Sequence, residues 1–286
     1  MSKVLCSTGA LIGRSNGRDY RLLGPLSKQL QCDGYEFMMY GVWYEEVPAL
    51  VRTLLSFQLD FPVMHAEKRI GELASSAAEA DRAEAVRLLA ENCRIANQLG
   101  ANKMVLHLWN GVTSDTQFAY NCACYPYLAE AAEKYGIDLL IENVVCSAGD
   151  PLTHWGELRA KYPNVHFIYD TKMAAFHAQN DCLYDAAYAW LQQENRIRHY
   201  HVNDYAGGYK EWENLRTLPI GRGNVDFDRF FDYICTIGYD DTFTVESTAF
   251  DATGAVDTAM LNTQFAYIRA QRSKQTNESI VYGGEK

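Results

Sequence analysis

Eight short apolar runs, separated by stretches with helical spacing, recur along the whole 286-residue chain, and no other feature restricts its fold as strongly. The runs are Lys3–Ser7, Tyr35–Tyr40, Pro62–His65, Lys103–Leu108, Asp138–Asn143, His166–Thr171, Arg198–Asn203 and Thr242–Ser247. They are short and mostly apolar on both faces, the pattern of strands buried in a parallel sheet. Between them, Val86, Leu89, Cys93 and Ala96 share one helical face, and Gly100 follows as a stop. Phe227, Phe230, Phe231 and Ile234 share another, followed by Gly238. Tyr127–Tyr135, introduced by Pro126 as a first-turn proline, also reads as a helix, as do Leu183–Leu191 and Val256–Ile268. Strands alternating with helices imply parallel pairing through right-handed crossovers. Eight such units predict an α/β fold of the closed (β/α)8 type, and the length is close to the roughly 250 residues typical of that barrel. Residues 1–273 form this single expected domain. Residues 274–286 are polar and Gly-rich and read as a loose tail.

Composition limits the partners. Hydrophobic residues make up 48% and charged residues 22% of the chain, the balance of a soluble globular protein that can bury a large core without disulfides. Acids outnumber bases by 36 to 26, giving a net charge of −10. That balance argues against nucleic acid and against an anionic membrane surface, both of which require clustered Lys and Arg. The eight cysteines include no CxxC pair and read as free thiols of a reducing cytosol. No leader-like apolar segment opens the chain, and no run of about 18 apolar residues occurs, so a cytoplasmic location is expected. No GxGxxG or GxxxxGK[ST] is present to cradle a nucleotide phosphate.

In a parallel barrel the active site lies at the C-terminal ends of the strands. Six runs end in a group able to bind metal or move a proton: His65, His107, Glu142, Asp170, His201 and Glu246. Taken singly, an acid at a strand end is more often a helix cap or an ion-pair partner than a ligand, and a histidine on an apolar strand more often a hydrogen-bonded core residue. Taken together, Glu142, Asp170, His201 and Glu246 fall on the last four strands in one register, about one strand–helix unit apart with an insertion before the last. Barrel closure would bring all four to one ring. Three oxygen donors and one imidazole suit a single divalent ion, Mn²⁺ foremost, with Mg²⁺, Co²⁺ or Zn²⁺ as alternatives.

This Glu–Asp–His–Glu set resembles the xylose-isomerase-like barrel superfamily, which includes sugar and sugar-phosphate isomerases and epimerases, inosose isomerase and dehydratase, and endonuclease IV. The segment GYEFMMY, with Glu36, is similar to the family's second strand, and LPIGRGNVDF (residues 218–227) to its loop before the seventh helix. The resemblance implies an isomerase or epimerase acting on a small sugar, keto-sugar, polyol or sugar phosphate, by proton transfer at a carbon beside a metal-held carbonyl. By position, Glu142 and Glu246 would be the catalytic acid–base pair, and Asp170 and His201 would be ligands only. His65 and His107 would contact substrate. Lys172 or Arg222 would meet a hydroxyl, carboxylate or phosphate, and Trp109 would stack on a sugar face. His166 and His177 are assigned to structure. Paired barrels occur in this group, which allows a homodimer.

Two departures separate the chain from the common epimerase pattern. Met173 stands three residues after Asp170, where many members carry His, and Gly207 stands where an Arg is expected; Arg216 or Arg222 would have to substitute. A dehydratase or lyase acting on a keto-sugar or cyclitol would use the same four ligands. A repair endonuclease would need a third zinc, and Met173 together with the His-free loop 204–226 removes its ligands. A binding barrel without turnover would not depend on the two glutamates.

Overall fold

The computed structural model describes residues 2–282, with backbone alone for residues 112, 114 and 274–282. Eight parallel strands close in sequence order: β1 (Lys3–Ser7), β2 (Gly34–Met38), β3 (Val63–His65), β4 (Lys103–Leu106), β5 (Asp138–Glu142), β6 (His166–Asp170), β7 (Ile197–His201) and β8 (Thr242–Val245). β8 pairs with β1 through Lys3–Thr242 to Cys6–Val245, completing the (β/α)8 barrel. Most strands stop earlier than the apolar runs suggest. The surplus residues, His107 and Glu246 among them, turn into the loops that rim the barrel mouth.

Alternation along each strand sorts the interior. Leu5, Val63, Val105, Leu140 and Ile168 point inward and form a fully buried apolar plug. Two residues further along β3, β5 and β6, the same face carries His65, Glu142 and Asp170, so the plug becomes the floor of a polar mouth. The remaining sector is polar: Glu36, His199 and Thr244 are buried and mutually hydrogen-bonded. Lys103 Nζ closes the opposite end against Asp241, at 2.5 Å.

The helix Glu79–Leu99 ends at Gly100, whose φ of +84° suits a residue without Cβ. Phe227–Thr236 buries its four expected apolar residues. Two expected helices differ. The helix around Tyr127 starts at Phe118 and runs to Glu133, with Pro126 in its interior rather than its first turn. Pro126 cannot donate to the Cys122 carbonyl one turn back, and Tyr162 Oη donates to that carbonyl instead, at 2.8 Å. Leu183–Leu191 is not one helix but two 3-10 turns, Asn180–Leu183 and Ala186–Tyr188, followed by the four-residue helix Trp190–Gln193. The last helix runs from Thr258 to Tyr282, through most of the expected tail; residues 283–286 lie outside the described residues. All eight cysteines are free. Among the described residues no helix is long and apolar enough to cross a membrane.

Candidate active site

Glu142 ends β5, Asp170 ends β6, His201 ends β7, and Glu246 follows β8 by one residue. Their donor atoms gather within 4.8 Å of one another. His201 Nδ1 lies 3.1 Å from Glu246 Oε2, 3.3 Å from Glu142 Oε1 and 3.8 Å from Asp170 Oδ2. The other atoms of two of these groups are already engaged. Asp170 Oδ1 caps the following helix by accepting from the Lys172 and Met173 amides at 2.7 and 3.0 Å. His201 Nε2 lies 2.9 Å from Glu36 Oε2. Glu142 Oε1, Asp170 Oδ2, His201 Nδ1 and Glu246 Oε2 thus gather in one place, a donor set able to hold a divalent cation.

Asparagines lock this geometry. Asn143 receives the Asp170 amide on Oδ1 and donates from Nδ2 to the Asp170 carbonyl, at 2.7 and 3.0 Å. Asn203 Oδ1 accepts from the Glu246 amide at 2.9 Å, and its Nδ2 reaches Asp170 Oδ2 and Glu246 Oε2. Glu36 is anchored in turn by His199 Nε2 at 3.0 Å and by the Thr244 hydroxyl at 2.9 Å. A carboxylate on the far nitrogen of a ligating imidazole fixes its tautomer and raises its basicity. Glu36 was legible only as a family feature. His199, Asn143 and Asn203 were missed, although His199 shares the inward face with His201 two residues on.

Burial and charge oppose each other here. Burial disfavours a charged His201, but Glu246, Glu36 and Glu142 outweigh it and lift its pKa well above the ordinary value. Burial also acts against ionised Glu142, yet His107 and His201 hold it well below the usual range. Glu246 falls to about 2 because His201 overcomes its burial. Asp170 rises to about 6 through burial, reinforced by Glu142 and Glu246 and opposed by Lys172. His107 drops to about 4 through burial, against the pull of Glu142.

The ring opens into a cavity of about 270 Å³ whose walls include His65, His107, Lys172, Met173, Glu142 and Glu246. His107 Nε2 lies 2.6 Å from Glu142 Oε2, and His65 Nε2 3.6 Å from the same atom. Lys172 is buried, with Nζ donating to the Thr217 hydroxyl at 3.1 Å and 4.0 Å from Asp170 Oδ2. Tyr40, Lys68 and Thr217, not anticipated, also line the cavity.

Two expected substrate contacts are placed elsewhere. Trp109 is fully buried; its indole N–H donates to the Val144 carbonyl at 3.0 Å, and its ring packs on Phe118 and His154. β4 ends at Leu106, so strand alternation no longer carries Trp109 to the face of His107. Arg222 is exposed on a turn and is not part of the cavity wall. The amides of Gly221, Gly223 and Val225 wrap the Asp204 carboxylate at 2.8 to 3.1 Å, and Arg222 rides on the outside of that wrap. Arg216 is likewise exposed. Gly207 has no room for a larger residue, because a Cβ there would collide with the Tyr205 ring. His177 Nε2 accepts the Cys146 amide at 2.9 Å, and His166 Nδ1 pairs with Asp138 at 2.7 Å, both away from the cavity.

The model of the xylose isomerase-like TIM barrel family matches residues 26–267. The chain belongs to this family. Solved structures of the same architecture include L-ribulose 3-epimerase, 17% identical with all of both chains covered and a TM-score of 0.72. They also include D-allulose 3-epimerase from Methylomonas sp. in complex with D-allulose, 17% identical over 94% of this chain and 97% of that one, with a TM-score of 0.70. The IolI protein with a bound zinc atom is 17% identical over 95% and 98%, with a TM-score of 0.68. No curated protein matches the chain in sequence. At this identity the neighbours establish the shared barrel and nothing finer.

Proposed function

We propose that the protein is a divalent-metal-dependent isomerase or epimerase of a small sugar, keto-sugar or sugar phosphate. The observation that carries this reading is the convergence of Glu142, Asp170, His201 and Glu246, each of which offers one ligand atom within 4.8 Å of the others. The donor set fits one divalent ion, with Mn²⁺ favoured by the three carboxylates and single imidazole. When bound, such an ion polarises a substrate carbonyl and so acidifies the neighbouring C–H.

The residues supply the rest. Glu142 and Glu246 are both held ionised, the state a proton acceptor needs. One removes the proton beside the carbonyl. The other, having taken up a proton from water, delivers it to the far face of that carbon for epimerisation, or to the adjacent carbon for isomerisation, and the first releases its proton to water. Asp170 and His201 stay as ligands, oriented by Asn143, Asn203 and Glu36. His107 and His65 bracket Glu142 Oε2, at 2.6 and 3.6 Å, and present their remaining edges to the substrate. Lys172 donates to a substrate oxygen from the cavity wall. The net charge of −10 and the absent third-zinc ligands fit a small-molecule substrate rather than nucleic acid.

Met173 occupies the cavity wall where many epimerases of this resemblance place a histidine, and this favours keeping a second reading. In it, the same proton abstraction is followed by loss of a β-hydroxyl as water from a keto-sugar or cyclitol. Incubating the Mn²⁺-loaded protein with a panel of ketoses, keto-glucosides and inososes, and following products by NMR, tests the proposal. An epimer or isomer supports the first reading and a dehydrated product the second. No conversion of any member contradicts both.

A further inference from the structure

A cavity of about 440 Å³ lies far from the metal-binding ring, at the N-terminal ends of β7 and β8. That is the size of ordinary small-molecule sites. Two local features create it. The connection before β7 supplies only the six-residue helix Thr171–Phe176, two 3-10 turns and a four-residue helix, so this part of the barrel wall is thinly covered. In addition, the β6–β7 ladder slips by one residue: Phe167 pairs with Ile197 and Ile168 with His199, leaving Arg198 as the extra residue. Such a bulge re-aims the side chain it ejects.

Arg198 lines this cavity, and among the described residues its guanidinium has no acceptor. Its Nε is fully buried without a partner. Arginine cannot shed its charge, so a buried unpaired N–H on it is a standing electrostatic debt. Two acids, Asp240 and Asp241, also line the cavity, but each is engaged away from Arg198: Asp241 with Lys103 at 2.5 Å, and Asp240 with the Ser2 hydroxyl at 3.2 Å. The cavity floor is aromatic, built from Tyr200, Tyr233 and Tyr239, with Tyr239 pinned by donation to the Thr242 carbonyl at 3.0 Å.

We propose that this cavity binds a small metabolite carrying an oxyanion, a carboxylate or a phosphoryl group, on Arg198, with its carbon skeleton against the tyrosines. The planar fork of Arg198 matches either anion bidentately, and the rings accept the apolar face of the skeleton. The site is separate from the metal ring and does not depend on the activity proposed above.

Titration calorimetry with glucose 6-phosphate, gluconate and glucose tests it in the wild type, Arg198→Met and Lys172→Met. The wild type and K172M should bind at least one of the two anions, and at least tenfold tighter than glucose; which anion binds identifies the group. R198M should lose at least tenfold. Equal affinity in R198M, equal binding of glucose, or no binding of either anion by the wild type overturns the proposal. A wild-type crystal soaked with the binding anion gives a check that needs no variant to fold. Density at the Arg198 guanidinium supports the site, and density confined to the metal-binding mouth contradicts it.

Discussion

Glu36 acts on the candidate metal site through His201. It sits on β2, across the barrel from β7, and lies 2.9 Å from the His201 nitrogen opposite the one facing the ring. Replacing it with Gln keeps the shape but removes the charge that raises His201 basicity. We expect Glu36→Gln to weaken Mn²⁺ binding by about 10- to 100-fold, read by calorimetry, with the fold retained by circular dichroism. At this scale the sequence was informative where strand ends dictate direction. Glu142, Asp170 and His201 are the last residues of β5, β6 and β7, so one topological rule places them. It failed where a strand stopped early. Trp109 was expected at the rim because the run Lys103–Leu108 read as one strand, but the strand ends at Leu106 and the indole turns under the loop to Val144. Arg222 was misplaced because nothing local reveals that Asp204 gathers the amides around it.

Individual elements depend on partners distant in sequence, which explains one of the two helices that differ from expectation. A proline inside Phe118–Glu133 is tolerated because Tyr162, after the next helix, covers the carbonyl it abandons. Tyr162→Phe should therefore cost about 1 kcal/mol, the net worth of one hydrogen bond, in a urea unfolding midpoint. The β5 loop that follows Glu142 is held in the same long-range way. His177 accepts the Cys146 amide, and the Asp115 carboxylate accepts from the amides of Ser147, Ala148 and Gly149 at 2.8 to 2.9 Å. Accepting the Cys146 amide requires a neutral His177 Nε2. Burial first, then Lys210, pushes the His177 pKa down to about 4. Its unfolded value is about 6.5. The folded state thus favours the neutral ring, whose stabilisation is complete above about pH 6.5 and declines as pH falls toward 4. Melting temperatures measured from pH 7.5 to 4.5 should fall on the acid side. The His177→Gln variant, whose side-chain oxygen can still accept the amide, should show a shallower fall.

Over the whole molecule, the barrel separates stability from chemistry along its axis. An apolar plug of five inward residues closes the middle. Carboxylates and imidazoles crowd the mouth above it, where each buried charge depends on another for compensation. Eight alternating apolar runs were enough to reveal the barrel, because each strand carries its own local pattern. The cavity at the opposite end was not legible, since it arises from a helix that fails to form and a one-residue slip in pairing. The central claim, that Glu142 and Glu246 exchange a proton beside a carbonyl held at the ring, is tested most directly by solvent deuterium. Wild-type protein with Mn²⁺ in D₂O, given a panel of ketoses, keto-glucosides and inososes, should place deuterium on one carbon adjacent to the carbonyl. Glu142→Gln and Glu246→Gln should each slow that incorporation by about 10² to 10⁴-fold, the usual contribution of a positioned acid or base. Absence of incorporation into every substrate, or incorporation undiminished in both variants, would contradict the account.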